Sequence, residues 1–143
     1  MFFRKKIKGN LLKYYIPAQI FGCLLGVMFA NVFFEHSLLE LSTKNRDGLH
    51  IFISEIIATF GLIFIIFATL KDGKTIVAIS VATYISAGYW FTSSTSFANP
   101  AVSIARTFTD SFTGINYINT PTYILAEFIG LILAAYILKI IYK

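Results

Sequence analysis

Long apolar runs separated by short polar connections dominate the pattern of this chain. The runs occupy residues 14–34, 51–70, 75–91 and 121–142, and few charged residues interrupt them. Because about 20 apolar residues span the hydrocarbon of a bilayer, each run is suited to one transmembrane helix. The pattern predicts an all-α membrane protein with four transmembrane helices.

Residues 92–110 break this pattern. Residues 92–96 are polar, and Asn99 and Pro100 then precede an amphipathic run that ends before Gly114. Asn99 is suited to cap a helix because its side-chain oxygen can accept a free backbone amide, and Pro100 suits the first helical position, which needs no donor. The pattern predicts a half-helix over residues 100–110, about 16 Å long at about 1.5 Å per residue, or half a membrane.

This half-helix has to enter the membrane and return on one face, because the third run ends on the side where the fourth begins. Irregular backbone at membrane depth is tolerated only where protein or a water-filled cavity lines it. The positive end of the helix dipole and the amide donors of Asn99 suit a small uncharged polar solute and repel cations. The stretch therefore predicts an aqueous path. The alternative is that residues 99–101 only cap a surface helix in an outer loop.

The basic residues indicate an orientation in the lipid bilayer. If the runs alternate in direction, most of the twelve lysine and arginine residues lie on one side: Arg4, Lys5, Lys6, Lys8, Lys13, Lys71, Lys74, Lys139 and Lys143. The other side holds Lys44, Arg46 and Arg106, diluted by acidic residues. The positive-inside rule then predicts a cell (inner) membrane protein with both termini in the cytoplasm. The topology explains the net charge of +5, and no nucleic-acid partner is expected because no binding fold accompanies the charge.

An internal similarity relates the first run to the last. Residues 15–22 read YIPAQIFG and residues 123–130 read YILAEFIG. Gly22 and Gly26 correspond to Gly130 and Ala134, a spacing of small residues that allows close helix contact in lipid. Because the two runs cross in opposite directions, the similarity indicates an inverted repeat.

These features together resemble the aquaporin, or major intrinsic protein, family from its third to its sixth helix. Residues 54–60 resemble the family's fourth helix with its embedded Glu55, and residues 97–101 resemble the second of its two Asn-Pro-Ala boxes. Residues 91–102 are most similar to the bacterial branch associated with arsenic resistance. The resemblance implies an aquaporin-like helical bundle that conducts small uncharged solutes passively, such as water, glycerol-like molecules or metalloid hydroxides. It also implies a homotetramer.

The resemblance assigns roles near the half-helix. Asn99, Pro100 and Ala101 would form the centre of the pore, with Asn99 donating to the permeant. Glu55 would support the re-entrant loop by accepting its backbone amides. Glu127 takes the place of Gln19 in the repeat and is expected to reach the membrane interface.

The resemblance also places a selectivity filter. An alignment without gaps assigns it to Ala87, Ser96 and Val102, whose small or apolar side chains imply a constriction wider than a strict water filter. The family usually carries an arginine where Val102 stands. Arg106, one helical turn outward on the same face, is the candidate that would restore it.

The first part of the family fold is expected to be absent. The offset of the repeat places the counterpart of Asn99 before Met1, so residues 1–3 would be the end of the first half-helix, and the first two helices and the first Asn-Pro-Ala box would be missing. One half-helix alone leaves the pore wall open to lipid. The sequence is therefore interpreted as truncated, as mis-assigned at its start, or as one part of a split channel completed by a separate chain.

Other functions stay open. Glu55 could bind both a cation and a proton in a small four-helix exporter, because ionisable residues in membranes are functional by default. A non-conducting membrane remnant is the third hypothesis. His36 and His50 flank the outer connection without cysteine or carboxylate at ligand spacing, so no metal is expected. No catalytic constellation can be assembled, so neither an enzyme nor a cofactor is expected. Cys23, inside the first run, is interpreted as a packing residue.

Overall fold

The computed structural model describes residues 9–142 and shows an all-α chain. Its helices are α1 (Gly9–Phe33), α2 (Leu49–Thr69), α3 (Lys74–Phe91), α4 (Pro100–Ala105) and α5 (Thr120–Ile141), with 3-10 turns at Leu70–Asp72 and Arg106–Phe108. No strand occurs within residues 9–142, which confirms the predicted fold class. The expectations for residues 1–3, for the basic residues among residues 4–8 and for Lys143 lie outside the described residues.

Three helices in this part of the chain are long and apolar enough to cross a membrane. They cover Leu11–Phe33, Leu49–Asp72 and Thr120–Ile141. The protein is therefore a helical membrane protein. The 18 residues of α3 extend about 27 Å at about 1.5 Å per residue, but α3 is not among these three helices. A fourth crossing by α3 stays a prediction.

The most extensive helix contact is that of α2 with α5. A Cβ atom added at Gly130 would lie 2.6 Å from the carbonyl oxygen of Ile56 and 2.9 Å from Cβ of Thr59. Ala126 and Ala134, one turn to either side of Gly130, are fully buried. Small residues let the two backbones approach, as the spacing predicted. Glu55 of α2 and Glu127 of α5 therefore reach the same loop.

Helix α1 packs mainly against α4 and the turn that follows it. Asn31 near its end is buried and donates from Nδ2 to the carbonyl oxygen of Phe108 at 3.0 Å. Most of its large side chains, such as Phe21 and Phe29, are exposed. A Cβ atom at Gly22 or Gly26 would meet nothing within 4 Å. The small-residue face of α1 therefore has no helix against it in the described part of the chain.

The connection between α1 and α2 lies along the segment that follows α4. The amide of Ser42 donates to the carbonyl oxygen of Thr107 at 2.9 Å, and the amide of Asn116 donates to that of Lys44 at 2.8 Å. Asp110 accepts the Thr43 backbone amide at 2.9 Å and the Thr43 hydroxyl at 3.1 Å. These bonds attach the outer connection to the end of the half-helix.

Replacing Gly130 by alanine is expected to destabilise the α2–α5 pair, because the new methyl group meets backbone rather than a movable side chain. We expect Gly130→Ala to lower the free energy of unfolding by about 1–3 kcal/mol. Gly22→Ala is the matched control, since the same methyl group enters open space. Unfolding of the purified protein in detergent measures both variants, and equal losses would contradict this packing.

The Asp110 contact is expected to weaken in acid. The pKa of Asp110 is lowered from its ordinary 3.8, first by the Thr43 backbone amide and then by the Thr43 hydroxyl, Lys44 and Ser42. A lowered pKa means that the contribution to stability is present above the ordinary pKa and is lost as the pH falls through the lowered one. The difference in unfolding temperature between the parent and Asp110→Asn should therefore shrink as the pH falls from 3.8 through the lowered pKa of Asp110. Asp47→Asn, an exposed control, should show no such change.

Candidate functional site

The loop before α4 has an unusual backbone. Thr95, Ser96 and Ala98 have φ angles of 62°, 49° and 51°. Residues other than glycine adopt such left-handed conformations at a cost of about 1–3 kcal/mol each, and they persist only where surrounding contacts hold them. Here Ser94, fully buried, accepts the Ser96 amide on its Oγ at 3.3 Å and the Tyr123 hydroxyl on its carbonyl oxygen at 3.2 Å.

Two buried carboxylates hold the amides at the end of this loop. Glu55 of α2 accepts the Phe97 amide on Oε2 at 3.3 Å and the Ala98 amide on Oε1. Glu127 of α5 accepts the Asn99 amide on Oε1 at 3.2 Å. Glu55 therefore makes the expected contacts with loop amides, and Glu127 binds the amide of the next residue, Asn99.

The expectation for Glu127 was wrong. Its side chain is only 2% exposed and does not reach the interface. The face of α5 that carries Glu127 packs on the half-helix, where Oε1 also accepts the Ser103 hydroxyl at 2.6 Å. The repeat gave no signal for this, because its counterpart Gln19 on α1 is exposed.

Asn99 caps the half-helix. Its backbone is extended, its Oδ1 accepts the Ala101 amide at 3.0 Å, and Pro100 takes the first helical position. Within residues 9–142 the side-chain nitrogen of Asn99 donates to no other residue. Ala101, Ser103 and Ala105 are buried, so α4 is not the surface helix of the alternative hypothesis. Its α-helical part ends at Ala105 and its 3-10 turn at Phe108.

A cavity of about 620 Å³ lies between α1, the outer end of α3 and the half-helix. Val102 and Arg106 line it from α4 and its turn, opposite polar groups of the outer segment. Its lining residues include Cys23, Asn31, His36, Tyr89, Thr109, Ser111 and Thr113. The cavity thus combines an apolar wall with several hydroxyl groups and one guanidinium group.

The four residues predicted for the filter do not all meet at this cavity. Ala87 is exposed on α3. Ser96 is buried against Gly88, because a Cβ atom added to Gly88 would lie 2.7 Å from the Ser96 Oγ. Neither residue lines the cavity, whereas Val102 and Arg106 do. The left-handed backbone of Ser96 directs its side chain toward α3, which an ungapped alignment does not reveal.

Arg106 is held by aromatic side chains. Its guanidinium carbon lies 4.2 Å from the centre of the Phe97 ring and 5.4 Å from that of Tyr89, and its Nη2 donates to the Tyr89 hydroxyl. Its Nη1 is buried without a hydrogen-bond partner in the described part of the chain. Sequence reasoning missed Tyr89, because only its position at the end of α3 brings it to Arg106.

Histidines and acidic residues do not assemble a metal site here. No group of three or more potential ligands occurs in the described ranges. The Nδ1 of His36 is hydrogen-bonded to Oε2 of Glu40 at 3.0 Å, and His36 lines the cavity.

The fold and this site define a helical membrane protein in which a capped half-helix is buried beside a polar-lined cavity. The chain is 40% identical over 125 residues to Aquaglyceroporin AqpS of Rhizobium meliloti (strain 1021), a match that covers 87% of this chain and 54% of that protein. This similarity supports a fragment of the aquaporin, or major intrinsic protein, family, as the sequence indicated, and the chain spans about half the length of that relative. No family model matches the chain, and no solved structure matches it significantly.

The Tyr89 hydroxyl is expected to stabilise the position of Arg106. Tyr89→Phe keeps the ring but removes the acceptor of a charged donor, so we expect the free energy of unfolding to fall by about 1–3 kcal/mol. Tyr136→Phe is the control, because that tyrosine is 64% exposed on α5. Chemical unfolding of both variants in detergent is the measurement. An unchanged free energy of unfolding in Tyr89→Phe would argue against the hydrogen bond between Tyr89 and Arg106.

Proposed function

We propose that this chain forms part of a passive channel for small uncharged solutes. The observation that carries the proposal is the half-helix: Asn99 caps it with one side-chain atom and keeps its amide donors free, while Val102 and Arg106 of the same segment line the cavity. Asn99, Pro100 and Ala101 form the centre of the path in this proposal. The relative at 40% identity is named an aquaglyceroporin, which supports a channel over an enzyme.

The proposed solute is larger than water, such as a glycerol-like molecule or a metalloid hydroxide. Val102 presents an apolar wall, and the cavity of about 620 Å³ has room for such a solute. Arg106 supplies a donor for solute oxygen atoms and a positive charge that repels cations. We assign the constriction to Val102 and Arg106, with Tyr89 holding the arginine.

The wider assembly follows from the same proposal. The uncovered face of α1 is the place where further helices, from the same protein or from a separate chain, would complete the wall of the path. We propose a homotetramer in the inner membrane with both termini in the cytoplasm, consistent with the basic residues at Lys71 and Lys74 and the positive-inside rule.

The exporter hypothesis is less well supported. Both oxygens of Glu55 accept backbone amides of the loop, so its contacts are those of a loop support and require no cation. An exporter also gives no reason for a buried, capped half-helix. A non-conducting remnant remains as an outcome of the experiment below.

Replacing Asn99 by aspartate is expected to reduce solute flux without unfolding the protein. Aspartate caps a helix as well as asparagine does, but an ionised carboxylate only accepts hydrogen bonds. Loss of one donor to the solute should reduce permeability by about tenfold or more. Stopped-flow swelling of proteoliposomes, with water, glycerol and arsenous acid as solutes, measures the effect.

Asn45→Asp is the matched control, because Asn45 is exposed in the outer connection. Equal flux in the parent and Asn99→Asp would overturn the assigned path. Absence of flux in a parent protein shown to be folded and inserted would favour the remnant. Flux that requires a pH gradient and disappears in Glu55→Gln would favour the exporter.

A further inference from the structure

Glu127 is a buried carboxylate for which the proposed path has no use. It is 2% exposed and lies among the buried residues of α5. No ion pair of Glu127 occurs among the residues that the structure describes. A buried acid without a cationic partner is costly unless hydrogen bonds compensate it. Its contacts therefore indicate what it does.

All of these contacts go to the half-helix. Oε1 accepts the Asn99 backbone amide at 3.2 Å and the Ser103 hydroxyl at 2.6 Å. Asn99 is the N-cap of α4 and Ser103 lies four residues further on, so the two attachments are about one helical turn apart. Two attachments one turn apart restrain the rotation of the half-helix about its own axis, in addition to its packing against α1 and α5.

This rotation determines where two residues of the path point. The Asn99 Oδ1 is already bound to the Ala101 amide at 3.0 Å, so the direction of its free nitrogen follows the backbone that Glu127 holds. Val102 precedes Ser103 directly and lines the cavity. A half-helix that turned away from Glu127 would move the Asn99 donor and the Val102 wall together.

We propose that Glu127 is a positioning residue that sets solute selection by holding Asn99 and Ser103 in register. The inference rests on the proposed channel function. Glu55 and Glu127 divide the work: Glu55 holds the loop at Phe97 and Ala98, and Glu127 holds the rotation of the half-helix that follows. The required property of Glu127 is an acceptor oxygen at the Oε1 position.

The second oxygen of Glu127 supplies a sharp test of this requirement. Oε2 is buried without a hydrogen-bond partner in the described part of the chain, as is the Thr59 hydroxyl on the facing helix. Glutamine keeps an acceptor oxygen for Asn99 and Ser103 and places its amide nitrogen where Oε2 has no partner. Glu127→Gln should therefore rescue the role, whereas Glu127→Leu, with similar volume and no acceptor, should not.

The experiment compares the parent, Glu127→Gln, Glu127→Leu and Ser103→Ala in proteoliposomes, with Glu35→Gln as an exposed control. The first readout is the ratio of glycerol to water permeability, and the second is hydrogen exchange of the segment 96–104. We expect Glu127→Leu to change the ratio by about fivefold or more and to accelerate exchange about tenfold, because a buried donor loses its acceptor. Glu127→Gln and Glu35→Gln should stay within about twofold of the parent.

Several outcomes would overturn the inference. A parent-like ratio and exchange in Glu127→Leu would do so, and so would a Glu127→Gln protein that behaves like Glu127→Leu, because the charge would then matter instead of the acceptor. If Glu127→Leu does not fold, Ser103→Ala decides alone, since it removes one attachment and leaves the carboxylate; an unchanged ratio and exchange in Ser103→Ala would reject the idea. A parent without flux would refute the channel, while the exchange data would still test the positioning.

Discussion

The structure depends on the satisfaction of buried loop amides by two carboxylates. A buried backbone amide without an acceptor costs several kcal/mol. The loop cannot pair its own amides in a helix, because Thr95, Ser96 and Ala98 are left-handed. Carboxylates have enough acceptor sites to take several donors at once, and Glu55 and Glu127 together bind three consecutive amides. This allows irregular backbone to remain buried between α3 and α4.

The close packing of α2 and α5 is what brings the two carboxylates to one point. Gly130 allows the backbones to touch, and Phe97 then fills the space above with Tyr123, at 4.8 Å between ring centres, and Ile115. Because the loop is bonded to both helices, a change in their separation is transmitted to the half-helix. The position of the candidate site is thus a property of helix packing and not of the loop alone.

The half-helix joins this support to the cavity. One face is buried through Ala101, Ser103 and Ala105, and the adjoining positions place Val102 and Arg106 at the cavity. Aromatic rings rather than a carboxylate hold Arg106, and no ion pair of Arg106 occurs in residues 9–142. Its charge is therefore not neutralised by an ion pair, which is the condition under which an arginine can both bind solute oxygen and repel cations.

The sequence by itself determined the helical class and the cap formed by Asn99 and Pro100, because hydropathy and capping depend on neighbours along the chain. The amide contacts of Glu55 were expected from the resemblance to the aquaporin family. Only the tertiary structure decided that Glu127 is buried, that Tyr89 binds Arg106, and that Ser96 turns toward Gly88. These three features depend on which face of each helix packs against the loop. The left-handed residues of that loop are not glycines, so the sequence does not signal its conformation. Local propensity disfavours this backbone conformation, and hydrogen bonds from distant segments of the chain stabilise it.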